Sequence, residues 1–89
     1  MYFVYILKSN KDKKLYIGYT HNLKERLKQH NKGKTFSTKN RNPFHLVYYE
    51  AFTSQKDALA REKKLKEYKS AYGHLKKRIL GSLEARHEV

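Results

Sequence analysis

Cysteine and tryptophan are missing from this 89-residue chain, and proline and methionine each occur once. The lack of cysteine excludes disulfides, thiolate zinc sites and cysteine nucleophiles together. Five histidines stand at positions 21, 30, 45, 74 and 87 with no pair four residues apart, so a histidine-built metal site is not expected. Acidic residues are scarce: eight Asp and Glu stand against twenty-one Lys and Arg. No apolar run approaches membrane-spanning length. The short apolar stretch at residues 2–7 has no basic segment before it and ends at Lys8, which fits a first strand better than a signal peptide. A cytoplasmic protein is the expectation.

What is present is charge and tyrosine. The formal charge of +13 is spread along the chain, and a positive field of that size in so short a sequence points to a polyanionic partner. Nucleic acid, DNA before RNA, is favoured over an anionic membrane because no segment pairs a wide hydrophobic face with a basic one. Eight Tyr and four Phe imply a core built largely from rings, with phenolic rims reaching the surface. The length suits one small domain, expected to span residues 1–80, with 81–89 a frayed or disordered tail.

Residues 2–8 (YFVYILK) and 15–19 (LYIGY) are rich in β-branched and aromatic residues, and the polar SNKDKK between them suits a hairpin loop. Both faces of the first run are apolar, as in a central strand. Thr20 is a candidate N-cap for a helix over 21–32, carrying Leu23 and Leu27 and stopped by Gly33. Residues 33–45 read as a loop and 46–52 (LVYYEAF) as a third strand. Ser54 with Asp57 resembles a capping box before a helix over 55–68, and Tyr72, Leu75 and Ile79 predict a third, shorter helix. The order is β-β-α-β-α-α, an α+β domain with a small three-stranded antiparallel sheet flanked by helices.

Several residues carry possible chemistry. Arg26 and His30 stand four apart on one helical face displaced from the leucine stripe. Glu62 lies about 40° from Ala58 and about 60° from Leu65 at about 100° per residue, inside an apolar stripe. A carboxylate there needs a partner, either a metal ion or a neighbouring lysine, and periodicity does not choose between them. Tyr5 and Tyr16 sit in adjacent strands. Two tyrosines, an arginine, a histidine and a carboxylate match the needs of metal-assisted phosphodiester hydrolysis.

The two triplets, Val4-Tyr5-Ile6 and Tyr16-Ile17-Gly18, followed by THNLKERLKQH, a P-x-x-L-V-Y-x-E strand from Pro43 to Glu50 and the ALAREKKLK segment, resemble the GIY-YIG endonuclease superfamily. The likeness runs over about residues 2–80 and is nearest to the small stand-alone URI-domain proteins. The resemblance implies an endonuclease using a single divalent ion, Mg²⁺ or Mn²⁺, to cleave DNA, with structure selectivity and a role in repair or recombination. It makes Tyr5, Tyr16, Arg26, His30 and Glu62 the catalytic set. Within that set Tyr5 acts as or orients the base, Tyr16 shares its pocket, and Arg26 contacts the scissile phosphate. His30 assists proton movement and Glu62 holds the metal. A tyrosine base, with a free pKa of about 10, would need a nearby cation to lower it.

The chain departs from the family pattern in three places. The first triplet is VYI, Tyr19 stands where some members carry lysine, and no asparagine occupies the 68–80 region. Lys28, Lys32, Lys34, Phe36, Lys39 and Arg41 are the candidate nucleic-acid contacts, combining phosphate neutralisation with stacking, and Phe44 beside them fits the core equally well. A protein partner supplying specificity is a further expectation. The rival reading is a nucleic-acid-binding module that keeps the fold with little or no turnover. A third, a basic ribosome-associated or structural protein, accounts for the charge but not for the grouped site residues.

Overall fold

The two tyrosine-bearing runs pair with each other. In the computed structural model, which describes residues 1–85, β1 (Tyr2–Ser9) and β2 (Leu15–Thr20) form an antiparallel hairpin that sets Tyr5 opposite Gly18 and Leu7 opposite Tyr16. Ser9 organises the connecting loop, its buried hydroxyl accepting from the N–H groups of Lys11 and Asp12 at 3.1 Å each. The third strand, β3 (Phe44–Phe52), runs antiparallel along the other edge of β1, so the sheet order is β2-β1-β3. β1 is therefore central, and Val4 through Leu7 are all buried. Burial from both sides is why this run lacks polar alternation.

The first helix, α1 (Leu23–Asn31), is capped by Asn22, whose side chain accepts from the Glu25 N–H at 3.1 Å. Thr20 is not the cap. It remains the last residue of β2, and its hydroxyl accepts from the Asn22 N–H at 3.1 Å, shaping the turn that leads into the helix. Gly33, at φ 71°, ends the segment in the left-handed region, where its N–H reaches the His30 carbonyl at 3.1 Å. After β3, Ser54 caps α2 (Gln55–Glu67) by accepting from the Asp57 N–H at 3.3 Å, as its spacing predicts. Two shorter helices follow, α3 (Lys69–Arg78) and α4 (Leu80–Glu84).

α4 is not foreseen from sequence. Where a frayed tail is the expectation for 81–89, the chain is helical to Glu84, with Leu83 packed on the core and its carbonyl accepting from Lys8 Nζ at 2.8 Å. Residues 86–89 of that tail lie outside the described residues.

Each face of the sheet has its own apolar cluster. Val4 and Ile6 meet Ala58 and Leu65 of α2 and Leu75 and Ile79 of the C-terminal segment. On the opposite face Tyr5, Leu7 and Phe44 pack with Tyr16, Leu46, and Leu23 and Leu27 of α1. α2 is also tied to β3 by Arg61, which meets Glu50 at 2.9 Å, while the Tyr48 hydroxyl donates to the same carboxylate at 2.7 Å. Burial would raise the Glu50 carboxyl, but Arg61 and Tyr48 outweigh it and hold it below its ordinary value.

Leu65, 2% exposed, is the residue by which α2 is seated on β1. Leu65→Ala is expected to cost about 2–5 kcal/mol through lost transfer energy plus the remaining cavity. In urea denaturation this should appear as a lower midpoint at an unchanged slope. A shift worth less than about 0.5 kcal/mol would show that α2 is not seated by this contact.

Candidate active site

Tyr5 is 1% exposed, and its position follows from the strand opposite. A Cβ placed on Gly18 would stand 2.3 Å from both Cζ and Oη of Tyr5, so the tyrosine ring lies directly against the bare glycine backbone. Only glycine at position 18 admits the ring. The hydroxyl then meets Nε2 of His30 at 2.9 Å, in edge-to-face contact with ring centroids 5.9 Å apart.

His30 is 0% exposed. The sequence places it with Arg26 on a face displaced from the leucine stripe and towards a neighbouring element; the imidazole, at the last turn of α1, turns inward and is walled by rings. Tyr16 lies 5.0 Å away and Phe44 5.9 Å away, centroid to centroid. Its second nitrogen, Nδ1, meets the Thr38 hydroxyl at 2.7 Å. Both ring nitrogens are thus engaged inside the protein. Burial, assisted by the nearby Arg26 charge, pushes His30 down to about 4, so the ring is neutral at physiological pH.

Tyr5 moves the other way. Burial raises it to about 12, and Arg26 pulls against that rise without overcoming it. The cation expected to lower this tyrosine is in place, yet desolvation of the phenolate is the larger effect. Tyr16 and Glu62 also add to the rise, which puts both within electrostatic reach of the Tyr5 hydroxyl. Tyr5, Tyr16, Arg26, His30 and Glu62, far apart in sequence, therefore share one neighbourhood.

The half-buried Arg26 donates from Nη1 to Oε1 of Gln29 at 3.0 Å. That partner is neutral, so the contact does not neutralise the guanidinium. Arg26 also lines an open cleft of about 390 Å³ between the end of β2 and α1, with Thr20, His21, Asn22 and Gln29. Glu62 has a side chain 20% exposed, and its Oε2 pairs with Lys66 at 3.1 Å. Of the two partners left open by the helical wheel, the lysine is present, and the carboxylate also lies within electrostatic reach of Tyr5.

The candidate nucleic-acid contacts divide into two groups. Lys28, Lys32, Lys34 and Lys39 are exposed, and Phe36 is 86% exposed with Lys39 Nζ 5.1 Å from its ring centre. Arg41 is engaged within the fold. It pairs with Asp12 at 2.6 Å and lies over the ring of Phe44, which is 3% exposed and belongs to the core. The Arg41 hydrogen bond holds the Asp12 carboxyl down to about 2, so this pair braces the 33–45 loop against the β1–β2 hairpin.

Sequence reasoning missed Thr38 and Asn31. The Asn31 amide clamps the Phe44 backbone, accepting from its N–H at 2.6 Å and donating to its carbonyl at 3.1 Å. Neither residue carries a periodic signal, because both act on partners that only the folded chain brings close. Tyr19 packs on the α2 side of the sheet and accepts from Gln55 Nε2 at 3.0 Å.

The GIY-YIG catalytic domain family matches residues 1–78. Similar proteins include the UPF0213 protein SH2523 of Staphylococcus haemolyticus, 46% identical over 68 residues covering 75% of this chain and 82% of the relative. Another is the UPF0213 protein CPE1444 of Clostridium perfringens, also 46% identical over 68 residues, covering 75% and 72%. Among solved structures, the solution NMR structure of the UPF0213 protein BH0048 from Bacillus halodurans is 37% identical. It covers 94% of this chain and 86% of its own, with a TM-score of 0.51.

The neutral, buried histidine has a consequence for stability. The unfolded chain protonates His30 near its ordinary value of 6.5, whereas the folded protein does so only near 4. Stability is therefore complete above the first value and falls as pH drops from one to the other. Urea midpoints measured between about pH 7 and about pH 4 should fall more steeply in the wild-type protein than in His30→Gln. Parallel profiles would overturn the assignment of His30 as a buried neutral ring.

Proposed function

The chain belongs to the GIY-YIG family, and from that premise we propose that it is a divalent-metal-dependent endonuclease hydrolysing DNA phosphodiester bonds. We take its action to be structure-selective, in repair or recombination. The observation that carries this reading is the convergence on the Tyr5 hydroxyl of a neutral histidine, an arginine and a carboxylate drawn from α1 and α2.

The residues present fit a single hard cation. Among the described residues no group of three or more His, Cys, Asp or Glu could cage a metal. A lone carboxylate suits an ion such as Mg²⁺ or Mn²⁺ that keeps most of its waters and takes further oxygens from a phosphate. Glu62, partly buried and in electrostatic reach of Tyr5, is that carboxylate. When bound, the ion would supply Lewis-acid stabilisation of charge on the phosphate oxygens.

The remaining chemistry belongs to side chains of this protein. Arg26 meets the scissile phosphate through its planar fork and stabilises charge as it grows on the non-bridging oxygens. Tyr5 is a neutral phenol in the free protein and orients the attacking water. As that water forms its bond to phosphorus its proton passes to the tyrosine oxygen while the phenol's own proton passes to Nε2 of His30, the ester P–O bond opposite breaks, and the leaving oxygen takes a proton from solvent. Tyr16 and Phe44 wall the histidine and limit water around it. The exposed Lys28, Lys32, Lys34 and Lys39 track the backbone, and Phe36 offers a stacking surface for an unpaired base.

The test is incubation of the purified protein at low salt with labelled duplex, single-stranded, flap and four-way-junction DNA, with Mg²⁺, Mn²⁺ or EDTA. Metal-dependent cuts are expected, absent in Glu62→Ala and slowed about 10²–10³-fold in kcat by Arg26→Ala. Affinity in both variants should stay within a few-fold of wild type, because it rests on distributed lysines and counterion release. Binding without cleavage on every DNA would favour the binding-module reading instead.

A further inference from the structure

Tyr5 and His30 occupy one face of the sheet, and the opposite face carries a second basic cleft. It lies between α2 and α3, open to solvent, with a volume of about 330 Å³. Its floor is Leu75, which is 2% exposed and packs with Val4 and Ile6, so the cleft stands on the side of β1 away from Tyr5 and Leu7. On the α3 wall Ser70, His74 and Arg78 follow one another at four-residue spacing, and on the α2 wall Arg61 and Lys64 stand three apart.

Every ionisable side chain lining this cleft is basic. Arg61 is engaged, holding the Glu50 carboxylate through Nε and Nη2 at 2.9 Å each while Tyr48 donates to the same group. Arg78 lies near enough to help hold that carboxylate ionised. Among the described residues, however, the side chains of Lys64, Ser70, His74 and Arg78 make no hydrogen bond or ion pair. With Glu50 balanced by Arg61, the charges of Lys64 and Arg78 are uncompensated. An ammonium, a guanidinium, a hydroxyl and an imidazole N–H thus face one space as donors without a protein acceptor, the complement of phosphate oxygens.

The shape selects a polymer. Ser70 to Arg78 spans about 12 Å at about 1.5 Å per residue, the axial length of roughly three to four nucleotides of one strand. A row of that length suits a run of backbone phosphates better than a single small anion. A protein partner would need an apolar anchor in the cleft, and the apolar residues lining it are the small Ala71 and the core residue Leu75. Residues 61–78 hold eight Lys and Arg against two Glu, so the surrounding field draws in the same polyanion.

The place of the cleft selects the arrangement of that polymer. Arg26 lines its own cleft at the end of β2 beside α1, whereas this one is tied through Arg61 to β3, at the other edge and on the other face of the sheet. A straight duplex passing Arg26 runs along one side of the protein and does not reach the other. The Cα positions extend only 31 × 26 × 20 Å, small enough for the domain to sit in the angle between two DNA arms.

We propose that the α2–α3 cleft is a second nucleic-acid contact, in which Lys64 and Arg78, with Ser70 and His74, take the phosphate backbone of a DNA arm other than the one presented to Arg26. The purpose of the contact, selecting branched over linear DNA, rests on the endonuclease reading. The contact itself requires neither metal nor cleavage, since it involves neither Glu62 nor Tyr5.

The test is fluorescence anisotropy in EDTA, over a range of salt concentrations, with a labelled four-way junction and a labelled linear duplex. The wild-type protein should bind the junction more tightly than the duplex. Lys64→Gln/Arg78→Gln changes two exposed side chains outside the core and should lose about tenfold or more in junction affinity, with a salt slope shallower by about 2. Its duplex affinity should stay within about twofold of wild type, because the α1 side supplies that contact. Lys64→Arg/Arg78→Lys, which keeps both charges, should bind the junction as the wild-type protein does. Unchanged junction binding in the glutamine variant would overturn the proposal and leave the cleft to an acidic protein or to no partner. Equal losses on junction and duplex would overturn it as well, reducing the two residues to a general basic surface. A protein that shows the junction preference but cuts no DNA with Mg²⁺ or Mn²⁺ would defeat the endonuclease reading while this contact stands.

Discussion

The Tyr5 ring occupies the space that a side chain on residue 18 would fill, and the rest of the site is arranged around that overlap. Because Tyr5 and Gly18 are directly opposed in the β1–β2 ladder, the ring can lie across the neighbouring strand and carry its hydroxyl to His30. A glycine in a strand interior loses packing and costs backbone entropy. Here the loss is offset by the placement of a phenol whose position is set by the central strand, held by ladders on both edges. A hydroxyl mounted on a loop would not inherit that rigidity.

Burial that positions the tyrosine and histidine also sets their protonation. Desolvation favours the neutral form of each, raising Tyr5 to about 12 and lowering His30 to about 4. The free protein thus holds an uncharged pair in its interior, hydrogen-bonded and free of the penalty of a buried charge. The charge at the site stays on Arg26 and Glu62, both only partly buried. The arrangement separates a dry proton-handling pair from wetter groups suited to phosphate and cation.

The same separation governs the surface. With a formal charge of +13, the chain pairs few of its cations: Arg41 with Asp12, Arg61 with Glu50 and Lys66 with Glu62 are the ion pairs among the described residues. The first two are struts, one bracing the α1–β3 connection against the β1–β2 hairpin and the other fastening α2 to β3. Most lysines remain exposed and unneutralised, a distribution suited to a long polyanion.

Local pattern was enough to reveal the strands, the second helix with its Ser54 cap, and the central place of β1. Burial on both faces, β-branched composition and capping spacing are written in neighbouring residues. The family resemblance carried by the triplets, the R-x-x-x-H helix and the ALAREKKLK segment likewise groups Tyr5, Tyr16, Arg26, His30 and Glu62. Thr20 was mistaken for the cap because its strand pairing with Phe3 is invisible to a local reading. Arg41 looked like a free cation because Asp12, its partner, is 29 residues away. α4 escaped notice because its support comes from β1, through Lys8. Thr38 looked like an ordinary residue of a polar loop.

By itself, then, the sequence determined the order of elements and the excess of positive charge, since these depend on composition and short-range spacing, and its motifs singled out the candidate site residues. Tertiary structure alone decided that His30 is neutral and turned inward, that Tyr5 is held as a phenol against Gly18, and that a loop threonine touches the far side of the imidazole. Those are outcomes of desolvation and of hydrogen bonds between residues distant in the chain. Neither has a value until the surfaces that exclude water have closed.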